Sequence, residues 1–204
     1  VRLAERPWET WLYPKFVEAA RRLQLPGYDR MDAAASRLDS DTGELSLDYG
    51  KGMLTINTPR TKSAIGYLAE EGKIDLDGVR IACRTEFATV TATSLDGAPI
   101  GASRHLLLTS VGRVENTAQG FWPPTPKQRS WSATSWMLPT KGRPPVLCEP
   151  IQADVWIQVP GQATAYSLDA TGKRGKRLDA ASDAGSLRLN PSTARSVWCE
   201  IVVP

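Results

Sequence analysis

The stretch "EFATVTATSLDGAPIGASRHLLLTSV", Glu86–Val111, decides the fold. "EFATVTATS" is rich in threonine and valine, the β-branched residues that favour a pleated strand. "LDGAP" collects Asp, Gly and Pro, which mark a turn. "RHLLLTSV" is a second short strand. The pattern continues on both sides. Upstream, "ELSLD" passes through "YGKG" into "MLTINT", a hairpin with glycines at its turn. "VRIACR" follows. Downstream come "PVLCEPI", "ADVWIQV", "ATAYSLD", the turn "DATGK", "KRL", "GSLRLN" and "RSVWCEIVV". "TKSAIGYLAEEG" fits either a strand or a short helix. Many short strands separated by Gly, Asp and Pro predict an all-β chain, a β-sandwich of jelly-roll or immunoglobulin-like type. Long helices do not alternate with these strands, which argues against a doubly wound fold.

The last strand fixes a face. Val197, Cys199, Ile201 and Val203 alternate onto one side and Ser196, Trp198, Glu200 and Val202 onto the other. Trp198 is expected beneath the N-terminal helix or a loop. That helix is predicted over 14–24. Trp8, Trp11, Leu12, Phe16, Ala20 and Leu23 recur at spacings near three and four, Pro14 suits a first turn, and Pro26-Gly27 is a stop. Its apolar stripe needs a partner to bury against. The expected organisation is a helix and linker over 1–37 and a β-sandwich domain over 38–204.

The 204 residues suit one large all-β domain. Hydrophobic residues make up 41% and charged residues 23%, and the net charge is +3, the balance of a soluble globular chain without a strong attraction to polyanions. The basic run "GKRGKR", Gly172–Arg177, reads as a solvated turn, and no nucleic-acid motif accompanies it. No apolar run approaches the ~20 residues of a spanning helix, so no membrane partner is expected. The opening "VRLAERPWETW" has neither an initiator methionine nor a signal-peptide pattern, and it reads as a fragment of a longer chain. Cys83, Cys148 and Cys199 lie far apart beside apolar residues and are expected to be buried as small hydrophobes.

Candidate chemistry is sparse. A Ser-His-Asp triad needs a histidine base; His105 is the only histidine and no G-x-S-x-G accompanies it. One histidine and three scattered cysteines do not compose a zinc site. Glycoside hydrolysis uses two facing carboxylates. Glu115 and Glu149 each follow an apolar strand, but a salt bridge with Arg104 or Arg113 is the better explanation of such residues. No catalytic residue is therefore assigned. Asp39, Asp41 and Glu44 in "LDSDTGEL" are weak candidate calcium ligands, the one cofactor the chain offers oxygens for; the alternative is a turn whose side chains bond backbone amides.

The segment "QGFWPPTPKQRSWSATSW", Gln119–Trp136, places Trp122, Trp131 and Trp136 among polar residues. A rigid indole can lie flat on the C–H face of a pyranose, while neighbouring polar groups fix the hydroxyls. Trp122, Trp131 and Trp136 are the candidate platform. Arg129, Gln128, Glu115 and Asn116 are the candidate polar partners. The competing explanation is a long loop pinning itself to the sandwich with its own aromatics.

"SDTGEL", "INTPRTKSAIGYL", "TSLDGAPI", "RHLLLTSVGRVENT" and "PVLCEPI" occur in that order. Together, across about 38–204, they resemble the C-terminal β-sandwich region that follows the catalytic (β/α)-barrel in some large bacterial glycoside hydrolases. "PKFVEAARRLQL" is similar to the element linking barrel and sandwich. The resemblance implies an extracellular, sugar-acting parent enzyme whose catalytic acids lie on a barrel outside this chain. The expectation is a non-catalytic carbohydrate-binding accessory domain that stacks tryptophan on a polysaccharide or oligosaccharide. Its partner would be the catalytic barrel of the same parent chain. The alternative is a structural sandwich that packs against that barrel without binding sugar.

Overall fold

The computed structural model describes residues 18–19, 22–24, 31–32, 34–122, 137–183 and 185–204. The first half of the chain forms β1 (Met31–Asp32), β2 (Arg37–Asp39), β3 (Leu45–Asp48), β4 (Met53–Asn57), β5 (Thr61–Tyr67), β6 (Ile74–Leu76), β7 (Val79–Cys83), β8 (Phe87–Ser94) and β9 (His105–Val111). The second half forms β10 (Val114–Thr117), β11 (Gly120–Trp122), β12 (Met137–Thr140), β13 (Arg143–Cys148), β14 (Ala153–Gln158), β15 (Thr164–Leu168), β16 (Arg174–Arg177), β17 (Ala180–Asp183), β18 (Ser186–Leu189) and β19 (Trp198–Val202).

Ten strands make one antiparallel sheet in the order β1-β2-β3-β4-β5-β8-β9-β19-β15-β16, and five make another in the order β17-β18-β14-β7-β6. The chain leaves the large sheet after β5, builds β6 and β7 in the small one, and returns as β8 beside β5. It crosses again around β14, and again around β17 and β18. β19 then inserts between β9 and β15, pairing with both. The result is the all-β sandwich predicted from strand spacing. The ribbons β10-β13 and β11-β12 stand apart as two-stranded pairs.

The core follows from period-two alternation. Ala88, Val90 and Ala92 on β8, Leu106 and Leu108 on β9, and Cys199 and Ile201 on β19 are fully buried from the large sheet. Val79, Ile81, Val155, Ile157, Leu187 and Leu189 meet them from the small one. Alanines on one sheet leave room for branched residues on the other, which is how an interior reaches close packing. Each fully buried Ile or Leu contributes about 1.5–3 kcal/mol.

Local readings of the sequence divide along these elements. "TKSAIGYLAEEG" is both things at once: β5, then a 3-10 turn at Ala69–Glu71. The "ELSLD…MLTINT" hairpin is β3-β4, with Leu45 opposite Ile56. The sheet already begins at Met31, which pairs with Leu38, ahead of residue 38. The N-terminal helix is not supported. Glu18, Ala19 and Arg22 have helical backbone and the Leu23 amide donates to the Ala19 carbonyl at 3.0 Å, but Leu23, expected in a buried stripe, is 69% exposed. Trp8, Trp11, Leu12, Phe16 and Ala20 lie outside the described residues. Cys83 and Cys199 are buried as expected; Cys148 is exposed, on a two-stranded ribbon whose β13 is exposed along its length. All three are free thiols. No helix of the described residues is long and apolar enough to cross a membrane.

Candidate functional site

Of the expected platform, Trp122 ends β11, where it pairs with Met137 of β12. Trp131, Trp136, Gln128 and Arg129 lie outside the described residues. Glu115, half-buried on β10, takes the bland role: its Oε2 is 3.6 Å from Arg113 Nε. Asn116 is a structural tie. Its Nδ2 donates to the Lys141 carbonyl at 2.8 Å and its backbone amide to Gln119 Oε1 at 2.9 Å. Asp39, Asp41 and Glu44 stand on a turn. Asp39 accepts from Arg37 at 2.8 Å, and Asp41 Oδ1 accepts from the Thr42 amide at 3.0 Å. Among the described residues, three His, Cys, Asp or Glu side chains nowhere gather to hold a metal.

His105 pairs instead with Glu200. Nε2 stands 2.7 Å from Glu200 Oε1, while Arg174 binds the same carboxylate through Nε and, at 3.1 Å, through Nη2. The Arg174 guanidinium passes over the Tyr166 ring at 5.1 Å. This chain of contacts braces four neighbouring strands, β9, β19, β15 and β16, on the outer face of the large sheet. The Arg174 hydrogen bond, then His105, holds the Glu200 carboxyl below its ordinary range against the opposing effect of burial. Both Glu200 oxygens are engaged by Arg174 and His105, which argues for a structural role.

A cleft of about 620 Å³ opens at one end of the sandwich, where β13 runs out, β15 ends and β19 begins. Trp198 lines it and is 37% exposed. This corrects the expectation that Trp198 is covered. Alternation turns Cys199 and Ile201 into the core, so Trp198 projects from the opposite face, and no described element packs over it. The 3-10 turn Pro191–Ala194 sets the chain up for this. Asn190 Oδ1 caps it by accepting from the Ser192 amide at 3.0 Å, and Arg195 then turns the chain at φ 50°. Ser196 Oγ locks the entry to β19 by donating to the Leu168 carbonyl at 2.5 Å and accepting from the Trp198 amide at 3.1 Å.

The polar groups around the indole are incompletely used. Glu149 Oε2 accepts from the Arg113 amide at 3.2 Å. Among the described residues Asp169 spends only Oδ1, on Thr171 Oγ1 at 2.6 Å and on the Thr171 and Lys173 amides at 2.8 and 3.0 Å. Those bonds, led by the Thr171 hydroxyl, hold its carboxyl below the ordinary range, so it is ionised and can only accept. Arg195 is exposed and makes no ion pair among the described residues. The cleft thus offers an indole face, carboxylate acceptors and a guanidinium donor. Sequence reasoning placed Trp198 on the correct face but did not assign it to a site; its signal was a tryptophan out of phase with the core row. Comparison with protein-family models, curated proteins and solved structures finds no match to this chain.

Proposed function

We propose that this sandwich is a non-catalytic glycan-binding module, and that Trp198 is its stacking platform. The reading is supported by the half-exposed indole on the wall of the cleft, with Glu149, Asp169 and Arg195 beside it. A pyranose presents C–H groups on its faces and hydroxyls round its edge. Indole stacking serves the first, and carboxylates and a guanidinium serve the second. Open clefts of this kind bind weakly, with Kd in the roughly micromolar to millimolar range, about −4 to −8 kcal/mol. In a longer polysaccharide-degrading enzyme, such affinity would hold the catalytic barrel near its substrate. Trp122, Trp131 and Trp136 are proposed as further stacking residues of the module.

The test is electrophoresis through gels containing soluble polysaccharides. At least one glycan retards the protein, and Trp198→Ala weakens that retention about tenfold or more while far-ultraviolet circular dichroism is unchanged. Full retention by Trp198→Ala removes the cleft from the function, and indifference to every glycan removes the function. A second reading has its own observation. Val114 and Val146 share one face of the β10-β13 ribbon and are 49% and 58% exposed, an apolar surface suited to packing on a neighbouring domain. On that reading no glycan is retained.

A further inference from the structure

At the end of the sandwich opposite the cleft, β4, β5, the β6-β7 turn and the end of β14 surround a second space of about 510 Å³, within the ~300–1,000 Å³ of small-molecule sites. β14 spans the distance between them, from Ala153 on the cleft side to Gln158 on this side. Lys62 occupies an inward position of β5, opposite Ala92 of β8, and is 3% exposed. Its stem replaces an apolar residue in the core, and its ammonium emerges where the two sheets part.

An ammonium carries three N–H donors. Among the described residues Lys62 Nζ makes one hydrogen bond, to Asn57 Oδ1 at 2.6 Å, and no ion pair. Burial lowers the affinity of the amine for its proton; Asp77 and then Glu44 oppose this through space. Asn57 holds the arrangement together, since its Oδ1 also accepts from the Asp77 amide at 3.2 Å and its Nδ2 donates to Asp77 Oδ2 at 3.4 Å. Gln158 forms a wall fixed between two glycines. A Cβ on Gly78 would stand 3.3 Å from Gln158 Oε1, and one on Gly101 3.2 Å from its Cδ. A nearly buried cation with unspent donors faces two carboxylates that it does not touch.

We propose that this pocket is a second ligand site, and that it takes a neutral polyol, the hydroxylated end of a single pyranose. Charge selects the class. An anion entering to meet Lys62 faces Asp77 and Glu44, and a cation entering to meet those carboxylates faces Lys62. A vicinal diol satisfies both sides, because each hydroxyl accepts from the ammonium and donates to a carboxylate. No aromatic side chain lines the pocket, so recognition here is by hydrogen bonds and not by stacking. The inference extends the glycan-binding reading to a second site but uses none of the cleft's residues.

The experiment is an amide chemical-shift titration of the whole chain with methyl β-D-glucopyranoside and methyl β-D-galactopyranoside, run beside sodium glucuronate and glucosamine hydrochloride. The expected result is saturable shifts at Asn57, Asp77, Gly78 and Gly101 with a neutral glycoside, at roughly millimolar Kd. Both charged sugars bind about tenfold more weakly. Asp77→Asn, on the exposed rim, weakens the neutral glycoside about tenfold and narrows the handicap of glucuronate. Lys62→Met abolishes the shifts in a chain that remains folded. Trp198→Ala leaves them unchanged, so failure at the cleft and failure at this pocket are read separately. No shift at these residues with either neutral glycoside, or glucuronate binding as tightly as both, overturns the proposal.

Discussion

Asp96 shows how much one exposed residue can organise. It sits in the "LDGAP" turn between β8 and β9, and its two oxygens accept from the Arg104 amide at 2.8 Å, Ser94 Oγ at 2.8 Å, Ser103 Oγ at 2.9 Å and the Ala98 amide at 3.1 Å. The Arg104 amide, followed by the Ser94 hydroxyl, holds its carboxyl far below the ordinary range. A folded-state pKa below the unfolded one stabilises the fold above the unfolded pKa, about 4, and that contribution is lost as pH falls below it. Asp96→Ala is therefore expected to lower Tm by several degrees at pH 7. It should also flatten the decline in the urea midpoint between about pH 4 and pH 2, since the unfolded state no longer gains this proton. A variant whose acid decline parallels the parent's would show that Asp96 does not contribute. Asp, Gly and Pro together marked this turn in the sequence, because turn chemistry is local. The four donors could not be read there, since Ser103 and Arg104 reach Asp96 only after the 3-10 turn Ile100–Ala102 folds back.

At the scale of elements, β4 and β5 approach more closely than side chains permit. Gly66 adopts φ 124° opposite Met53, and a Cβ there would lie 2.0 Å from the Gly52 carbonyl oxygen. Backbone collides with backbone, so no rotamer relieves it. Gly66→Ala is expected to cost about 3 kcal/mol or more in urea unfolding. Gly43→Ala, at φ 73° with open space around it, costs only the left-handed strain, about 1–2 kcal/mol. Equal losses at the two positions would refute the contact. The strand assignments themselves were legible: β3, β4, β7, β8, β9, β14 and β19 all announced themselves through β-branched residues and flanking turns. The N-terminal helix expected from apolar spacing near three and four is not supported: Leu23, the one described residue of its stripe, stands in solvent.

Across the whole molecule, the two sheets separate what the sequence makes look alike. Cys83, Cys148 and Cys199 all sit in apolar stretches, yet two are in the core and one is exposed on a two-stranded ribbon. Burial raises the Cys199 thiol to about 12 and also pushes Cys83 up. Ellman's reagent at pH 8 should therefore titrate one thiol, Cys148, in the native protein and all three in urea. Prompt reaction of a second thiol without denaturant would mean that the sandwich opens.

The sequence by itself determined the strand class of this chain, its turns, and which side of β19 belongs to the core, because alternation and turn propensity act between residues close along the backbone. Only tertiary structure decided that β19 lies between β9 and β15, that Trp198 borders a cleft, and that Lys62 is enclosed opposite Asp77. Each of those facts depends on which distant strands become neighbours, and burial and charge environment are properties of the neighbours.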